Sequence, residues 1–193
     1  MFVKMCGMTQ AEDIEIACQN SVDAIGFIFA DSPRRVSIAQ ACELSNHVNG
    51  PLKVGVFVNE EIDTIRRIRD ACHLDVIQLH GEESPDFCHS LGGPIFKAFR
   101  AKDAHVIQRF SDYLSDVKIL FDAWSHSMAG GTGRLIDFNI LDKISDFSRI
   151  ILAGGLGPEN IQEIVNRYQP FGVDINSKIE KNPGIKDHLK IKN

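Results

Sequence analysis

"RIILAGGLGPENIQEIVNRY", residues 149–168, passes from an apolar run through a glycine-rich break into a stretch with helical spacing. The same order recurs along the chain. "FVKMC" precedes "QAEDIEIACQN", "AIGFIF" precedes "SIAQACELSNHV", "LKVGVFV" precedes "EEIDTIRRIRDAC" and "DVIQLH" precedes "SPDFCHSL". Further on, "PIFKAF" leads into "DAHVIQRFSDYL", "VKILFDA" into "IDFNILDKI" and "FGVDINS" into "GIKDHLKIK". With the opening stretch these make eight strand–helix units at fairly even spacing over 193 residues. Strands that alternate with helices pair in parallel and bury both faces, which explains their near-continuous apolar character. An open doubly wound sheet has about six strands, whereas eight units match a closed (β/α)8 barrel. The expected architecture is therefore α/β: a single TIM barrel domain over residues 1–193, compact for a fold that usually takes about 200 residues or more. "GIKDHLKIKN" offers barely two helical turns, so a short C-terminal helix is expected.

Composition narrows the function classes. Hydrophobic residues make up 44% of the chain and the net charge is -5, with no basic block of the kind a nucleic-acid binder needs. A small anionic ligand needs only a few local cations and stays open. No run approaches the roughly 18 apolar residues of a membrane span, and "MFVKMCG" is too short for a secretory signal. The five cysteines are odd in number, widely spaced, and form no CxxC pair or zinc spacing with the seven histidines. Reduced thiols in a cytoplasm, with no metal site, are the expectation. Nothing marks an interface, so a monomer is the default and a dimer stays open.

Barrel sites lie at the carboxyl ends of the strands. Cys6, Gln78, His80, Asp122, Gly154, Gly155, Asp174 and Asn176 all fall there. Lys4 with Cys6, Gln78 with His80, and Asp174 with Asn176 are two residues apart and share a strand face. Read alone, Cys6 is a small buried hydrophobe, His80 a satisfied structural histidine, Asp122 a cap or ion-pair partner, and the glycine pair a tight turn. Their common end of the barrel joins them into a polar site. Cys18, Cys42, Cys72 and Cys88, on helical stretches, read as structural. "LAGGLGPEN" suits a phosphate, because glycines let backbone N–H groups approach an anion, and Pro158 is expected to start the next helix. Thr9 is expected to cap the first helix.

"KMCGMT", "DAIGFIFADSPRRVS", "KVGVFVNE", "DVIQLHGEE", "FDAWSHSMAGGTG", "LAGGLGPEN" and "FGVDINSKIEKNPGIKD" together resemble phosphoribosylanthranilate isomerase, in order, from Lys4 to about Asp187. The resemblance implies an Amadori rearrangement in tryptophan biosynthesis: N-(5-phosphoribosyl)anthranilate becomes 1-(2-carboxyphenylamino)-1-deoxyribulose 5-phosphate without metal or organic cofactor. It implies Cys6 as general base, Asp122 as general acid, Arg34 as the anthranilate carboxylate's partner, and His80 and Asp174 as pocket residues. Gly154, Gly155, Asn176 and Ser177 would hold the phosphate, Arg35 would be a solvated charge, and "SHSMAGGTG" matches the flexible sixth loop. A cysteine general base needs its thiolate stabilised, with Lys4 or the cationic intermediate as candidates. The family usually reads "SSG" where this chain has Asn176, Ser177 and Lys178, so Lys178 either grips the phosphate or points to solvent, with the backbone strained or the site slightly open; solvent is the favoured side. The histidine-pathway isomerase is set aside, because the chain shows no internal repeat and carries Cys6 in the base position. A non-catalytic ligand-binding barrel is set aside because both Cys6 and Asp122 are present.

Overall fold

Eight short apolar runs become eight parallel strands because no face of theirs suits water. The computed structural model describes residues 1–100, 104–122 and 138–192. Its strands are β1 (Phe2–Cys6), β2 (Ala24–Ile28), β3 (Leu52–Phe57), β4 (Val76–Leu79), β5 (Ile95–Arg100), β6 (Lys118–Asp122), β7 (Ile150–Ala153) and β8 (Gly172–Ile175). They pair in sequence order and close on themselves, β8 lying beside β1 with Phe2 opposite Gly172 and Lys4 opposite Asp174. The eight-unit barrel read from the sequence is the fold observed. "SHSMAGGTG" lies outside the described residues.

Two apolar layers hold the barrel. Ala24, Val54, Val76, Phe96, Ala98, Leu120, Ile151 and Ala153 form one small cluster. Their period-two spacing on successive strands makes it the barrel interior. Phe2 closes its lower end, with ring centroids 5.9 Å from Phe96 and 5.5 Å from Phe171. The larger cluster joins the outer strand faces to the helices. Cys72 and Cys88 are buried in it, and Cys18 and Cys42 pack against it, as the structural reading of these thiols expects.

The helices are α1 (Ala11–Gln19), α2 (Ile38–Ser45), α3 (Ile62–Cys72), α4 (Pro85–Leu91), α5 (Phe138–Leu141), α6 (Ile161–Tyr168) and α7 (His188–Ile191). After β5 the chain winds as a 3-10 helix over Ala104–Asp112 instead. Ser37 caps α2 in a reciprocal box with Gln40, and Ser84 caps α4 ahead of Pro85. Two expected starts are corrected. Thr9 does not cap α1, whose N-cap is Gln10 with no side-chain bond; the Thr9 hydroxyl donates to the Gly184 carbonyl at 2.5 Å. Pro158 lies in a turn, and α6 begins only at Ile161, because Asn160 spends its side chain on the loop before it. After β8, a 3-10 turn (Ser177–Ile179) leads to a small antiparallel pair, β9 (Glu180–Asn182) and β10 (Ile185–Lys186), and then to the four-residue α7.

Candidate active site

The barrel interior is apolar below and turns polar toward the carboxyl ends of the strands. A cavity of about 200 Å³ opens there, lined by Cys6, His80, Asp122, Asp174, Asn176 and Ser177 together with Gly154 and Gly155. Every site residue read from the sequence meets in it except Arg34. A larger cavity, of about 530 Å³, shares His80 and runs over the ends of β4 and β5 past Lys97, Arg100 and Arg109.

Cys6 is buried at the end of β1, above Lys4, which is fully buried. The Lys4 ammonium donates to Asp174 Oδ2 at 2.9 Å across the β1–β8 register, and a Cβ at Gly26 would stand 3.2 Å from that ammonium and 2.8 Å from the Cys6 sulfur. Burial alone would lower the Lys4 pKa, but Asp174 and Cys6 outweigh it and hold the ammonium above its ordinary value. The same burial pushes the Asp174 carboxyl up, against the pull of Lys4. Burial pushes the Cys6 thiol up, and Lys4 offsets only part of that rise, so Lys4 alone does not supply a resting thiolate.

His80 donates its backbone N–H to the Phe57 carbonyl at 2.8 Å, and its Nδ1 lies 3.3 Å from Gln78 Nε2. Burial, then the charges of Arg100, Lys4 and Lys97, lower its pKa to about 4. The imidazole is neutral near pH 7. With Gln78 oriented to donate to Nδ1, the His80 proton sits on Nε2. The β4 loop is pinned by Glu83, which accepts from the Asn59 and Gly81 backbones and pairs with buried Lys97 at 3.0 Å.

The phosphate-type loop has the conformation that glycine permits. Gly154 and Gly155 have φ of +91° and +70°, and Asn160 ties Gly155 O and Gly157 N at 2.9 Å each. Lys178 takes no such conformation: it lies in the Ser177–Ile179 turn and is absent from the positive-φ residues, so its backbone is not strained. Its ammonium pairs with Glu159 at 2.8 Å, partly exposed and outside the cavity lining. The solvent side of that expectation stands; the strain does not.

Arg34 is engaged elsewhere than in the cavity. Its Nε and Nη2 donate to the two carboxylate oxygens of Glu180 at 2.8 and 2.6 Å. Glu180 also takes the fully buried Lys186 ammonium at 3.0 Å, and Lys186 donates in turn to the Cys6 carbonyl at 2.7 Å and to Asn176 Oδ1 at 2.9 Å. Burial would raise the Glu180 carboxyl, but Arg34 and Lys186 hold it below its ordinary value. Gly7 completes this corner: a Cβ there would stand 2.6 Å from Arg34 Cδ and 2.9 Å from Asn176 Oδ1, on a backbone with φ of +71°. Glu180 and Lys186 were not singled out in the sequence. Their only local signal is a pair of charges flanking the "NPG" turn. Among the described residues no group of three or more His, Cys, Asp or Glu side chains is placed to hold a metal ion, and no helix is long and apolar enough to cross a membrane.

Residues 3–193 match the family model described as N-(5'-phosphoribosyl)anthranilate (PRA) isomerase. The chain belongs to that family. A phosphoribosylanthranilate isomerase from Pelobacter propionicus is 40% identical over 192 residues, covering 98% of this chain and 91% of the relative. The isomerase from Listeria monocytogenes is 38% identical over 194 residues, covering 100% and 95%. Among solved structures, phosphoribosyl anthranilate isomerase from Thermotoga maritima superposes with a TM-score of 0.89 at 33% identity, covering 100% of this chain and 95% of that one. Another, at 32% identity and TM-score 0.84 with the same coverage, holds reduced 1-(o-carboxyphenylamino)-1-deoxyribulose 5-phosphate. A further Thermotoga maritima structure, at TM-score 0.86 and 31% identity over 100% of this chain and 95% of that one, contains monomers generated from a dimeric isomerase. Membership makes this chain an isomerase of tryptophan biosynthesis.

Proposed function

We propose that this chain converts N-(5-phosphoribosyl)anthranilate to 1-(2-carboxyphenylamino)-1-deoxyribulose 5-phosphate, with Asp122 as general acid and Cys6 as general base. The observation that carries the reading is the single cavity, in a member of this family, that gathers Cys6 and Asp122 beside the Gly154–Gly155 loop. Asp122, protonated, donates to the ribose ring oxygen as the C1–O bond breaks and the aryl nitrogen lone pair forms a cationic C=N bond. Cys6, as thiolate, takes the C2 proton; the C–H electrons form C1=C2 and the C=N π electrons return to nitrogen. The resulting enolamine loses its hydroxyl proton and gains one at C1, which leaves the ketone.

Burial opposes the thiolate, so its stabilisation falls to Lys4, Lys186 and the cationic intermediate itself. The cation formed when the ring opens attracts the thiolate that takes the C2 proton, so the acid step favours the base step within one pocket. Gly154, Gly155, Asn176 and Ser177 hold the phosphate, and His80 and Asp174 line the sugar. Arg34 receives the anthranilate carboxylate. Its Nε and one Nη2 hydrogen are committed to Glu180, which leaves the Nη1 and remaining Nη2 hydrogens as a second donor edge. The reaction uses no metal or organic cofactor, in one barrel domain over residues 1–193, in the cytoplasm. Loss of anthranilate-type fluorescence on adding the chain to phosphoribosylanthranilate in EDTA tests it. Turnover is expected, and a chain that is folded and inert would refute it.

A further inference from the structure

Gln78 shares a strand face with His80 and is 1% exposed, yet the roles above leave it unused. Its Nε2 faces His80 Nδ1, and its Oε1 has no hydrogen-bond donor among the described residues. Asp174 repeats the pattern: Oδ2 takes the Lys4 ammonium, while buried Oδ1 takes nothing among the described residues. One other buried side-chain atom there lacks a partner, Ser45 Oγ in α2, and it does not line the cavity. Gln78 and Asp174 both do.

Burying an acceptor without a donor is costly, and a binding site recovers that cost when a ligand brings the donor. The two acceptors come from β4 and β8, on opposite sides of the closed strand order. A phosphoribosylated arylamine has few donors to offer. Its phosphate and carboxylate are ionised and its ring oxygen carries no hydrogen, which leaves the hydroxyls at C2 and C3 and the aryl N–H. Asp174 holds the Lys4 ammonium, and a Cβ at Gly26 would stand 3.2 Å from that ammonium and 2.8 Å from the Cys6 sulfur, which puts Asp174 on the side of the carbon that loses its proton. We propose that Asp174 Oδ1 accepts from the C2 hydroxyl and that Gln78 Oε1, on the facing wall, accepts from the C3 hydroxyl, making Gln78 a specificity-determining residue for a ribose with both hydroxyls. This rests on the substrate reading above. A site built to bond a hydroxyl rejects the analogue that lacks it, because its own buried acceptor is then left unpaired.

Calorimetric titration of the full chain with reduced 1-(o-carboxyphenylamino)-1-deoxyribulose 5-phosphate, and with the same compound lacking the C3 hydroxyl, tests the assignment. Wild type should bind the deoxy compound about ten-fold or more weaker, as expected for an acceptor left buried and unpaired. Gln78→Leu should bind the parent more weakly and discriminate between the two compounds by less than about two-fold, since its acceptor is gone. Asp174→Asn should keep the discrimination at C3. Gln78→Met replaces Gln78→Leu if the latter fails to fold by circular dichroism. Wild type indifferent to the C3 hydroxyl, or a Gln78 variant that discriminates as wild type does, would overturn the proposal. If wild type turns over phosphoribosylanthranilate, only the Gln78 assignment falls with those results. If it neither turns over nor binds the parent compound, both fall.

Discussion

At His80, burial and the charges of Arg100, Lys4 and Lys97 bring the pKa to about 4 from an ordinary 6.5. The unfolded chain takes up this proton near pH 6.5 and the folded chain only near pH 4, so the unfolded state binds more protons between those values. The contribution is full above pH 6.5 and is lost as pH falls toward 4. Thermal unfolding followed across that window should show Tm falling with pH in wild type and a flatter dependence in His80→Asn. Parallel slopes would mean that His80 is not the group responsible. The sequence makes His80 legible as a polar residue at a strand end, but its acidity depends on three cations from two other strands, β1 and β5. Cys6 shows the same limit: its position was legible, while the net effect of burial against Lys4 emerges only when both are packed.

Loops after β2 and β8 carry Arg34, Arg35 and Lys178. Arg34 is fixed by Glu180 on one edge, whereas Arg35 is exposed. Arg34→Ala should raise KM for phosphoribosylanthranilate by about ten-fold or more, the scale of a charge-assisted pair, and Arg35→Ala should stay within about two-fold in the same assay. A larger effect at Arg35 would move the carboxylate site. In the β8 loop, Lys178 pairs with Glu159 at the surface, where such a pair contributes about 0–1 kcal/mol. KM of Lys178→Gly at low and moderate ionic strength should match wild type within about two-fold, since nothing at that position is strained or aimed at phosphate. A clear rise with a flatter salt dependence would place the ammonium on the phosphate. Glu180 escaped the sequence reading because its partner Arg34 is 146 positions away and nothing near it predicts burial. Asn160 escaped for a different reason: with the helix expected from Pro158 it falls inside the first turn, whereas its side chain turns back onto Gly155 and Gly157.

Across the whole molecule, the barrel was legible because parallel strands advertise themselves as apolar runs, and eight of them admit closure. How the last unit is secured was not legible. Four residues of α7 bury little, and the chain end is held by long-range polar contacts to the first unit. Asp13 accepts the Lys186 backbone N–H at 2.9 Å and meets His188 Nε2 at 2.7 Å, while Thr9 holds Gly184. Asp13 is buried, so Asp13→Ala leaves the Lys186 N–H without its acceptor and should cost about 2 kcal/mol in urea unfolding. A loss under about 0.5 kcal/mol, the range of ordinary surface substitutions, would show that the last unit is anchored otherwise. The most direct measurement of the chemistry is steady-state turnover of phosphoribosylanthranilate by Cys6→Ala and Asp122→Asn beside wild type, each with a circular dichroism spectrum checked against it. Removal of a general base or acid should lower kcat by about 10²–10⁴-fold in each variant, whereas a folded Cys6→Ala that turns over within a few-fold of wild type would contradict a cysteine base in this barrel.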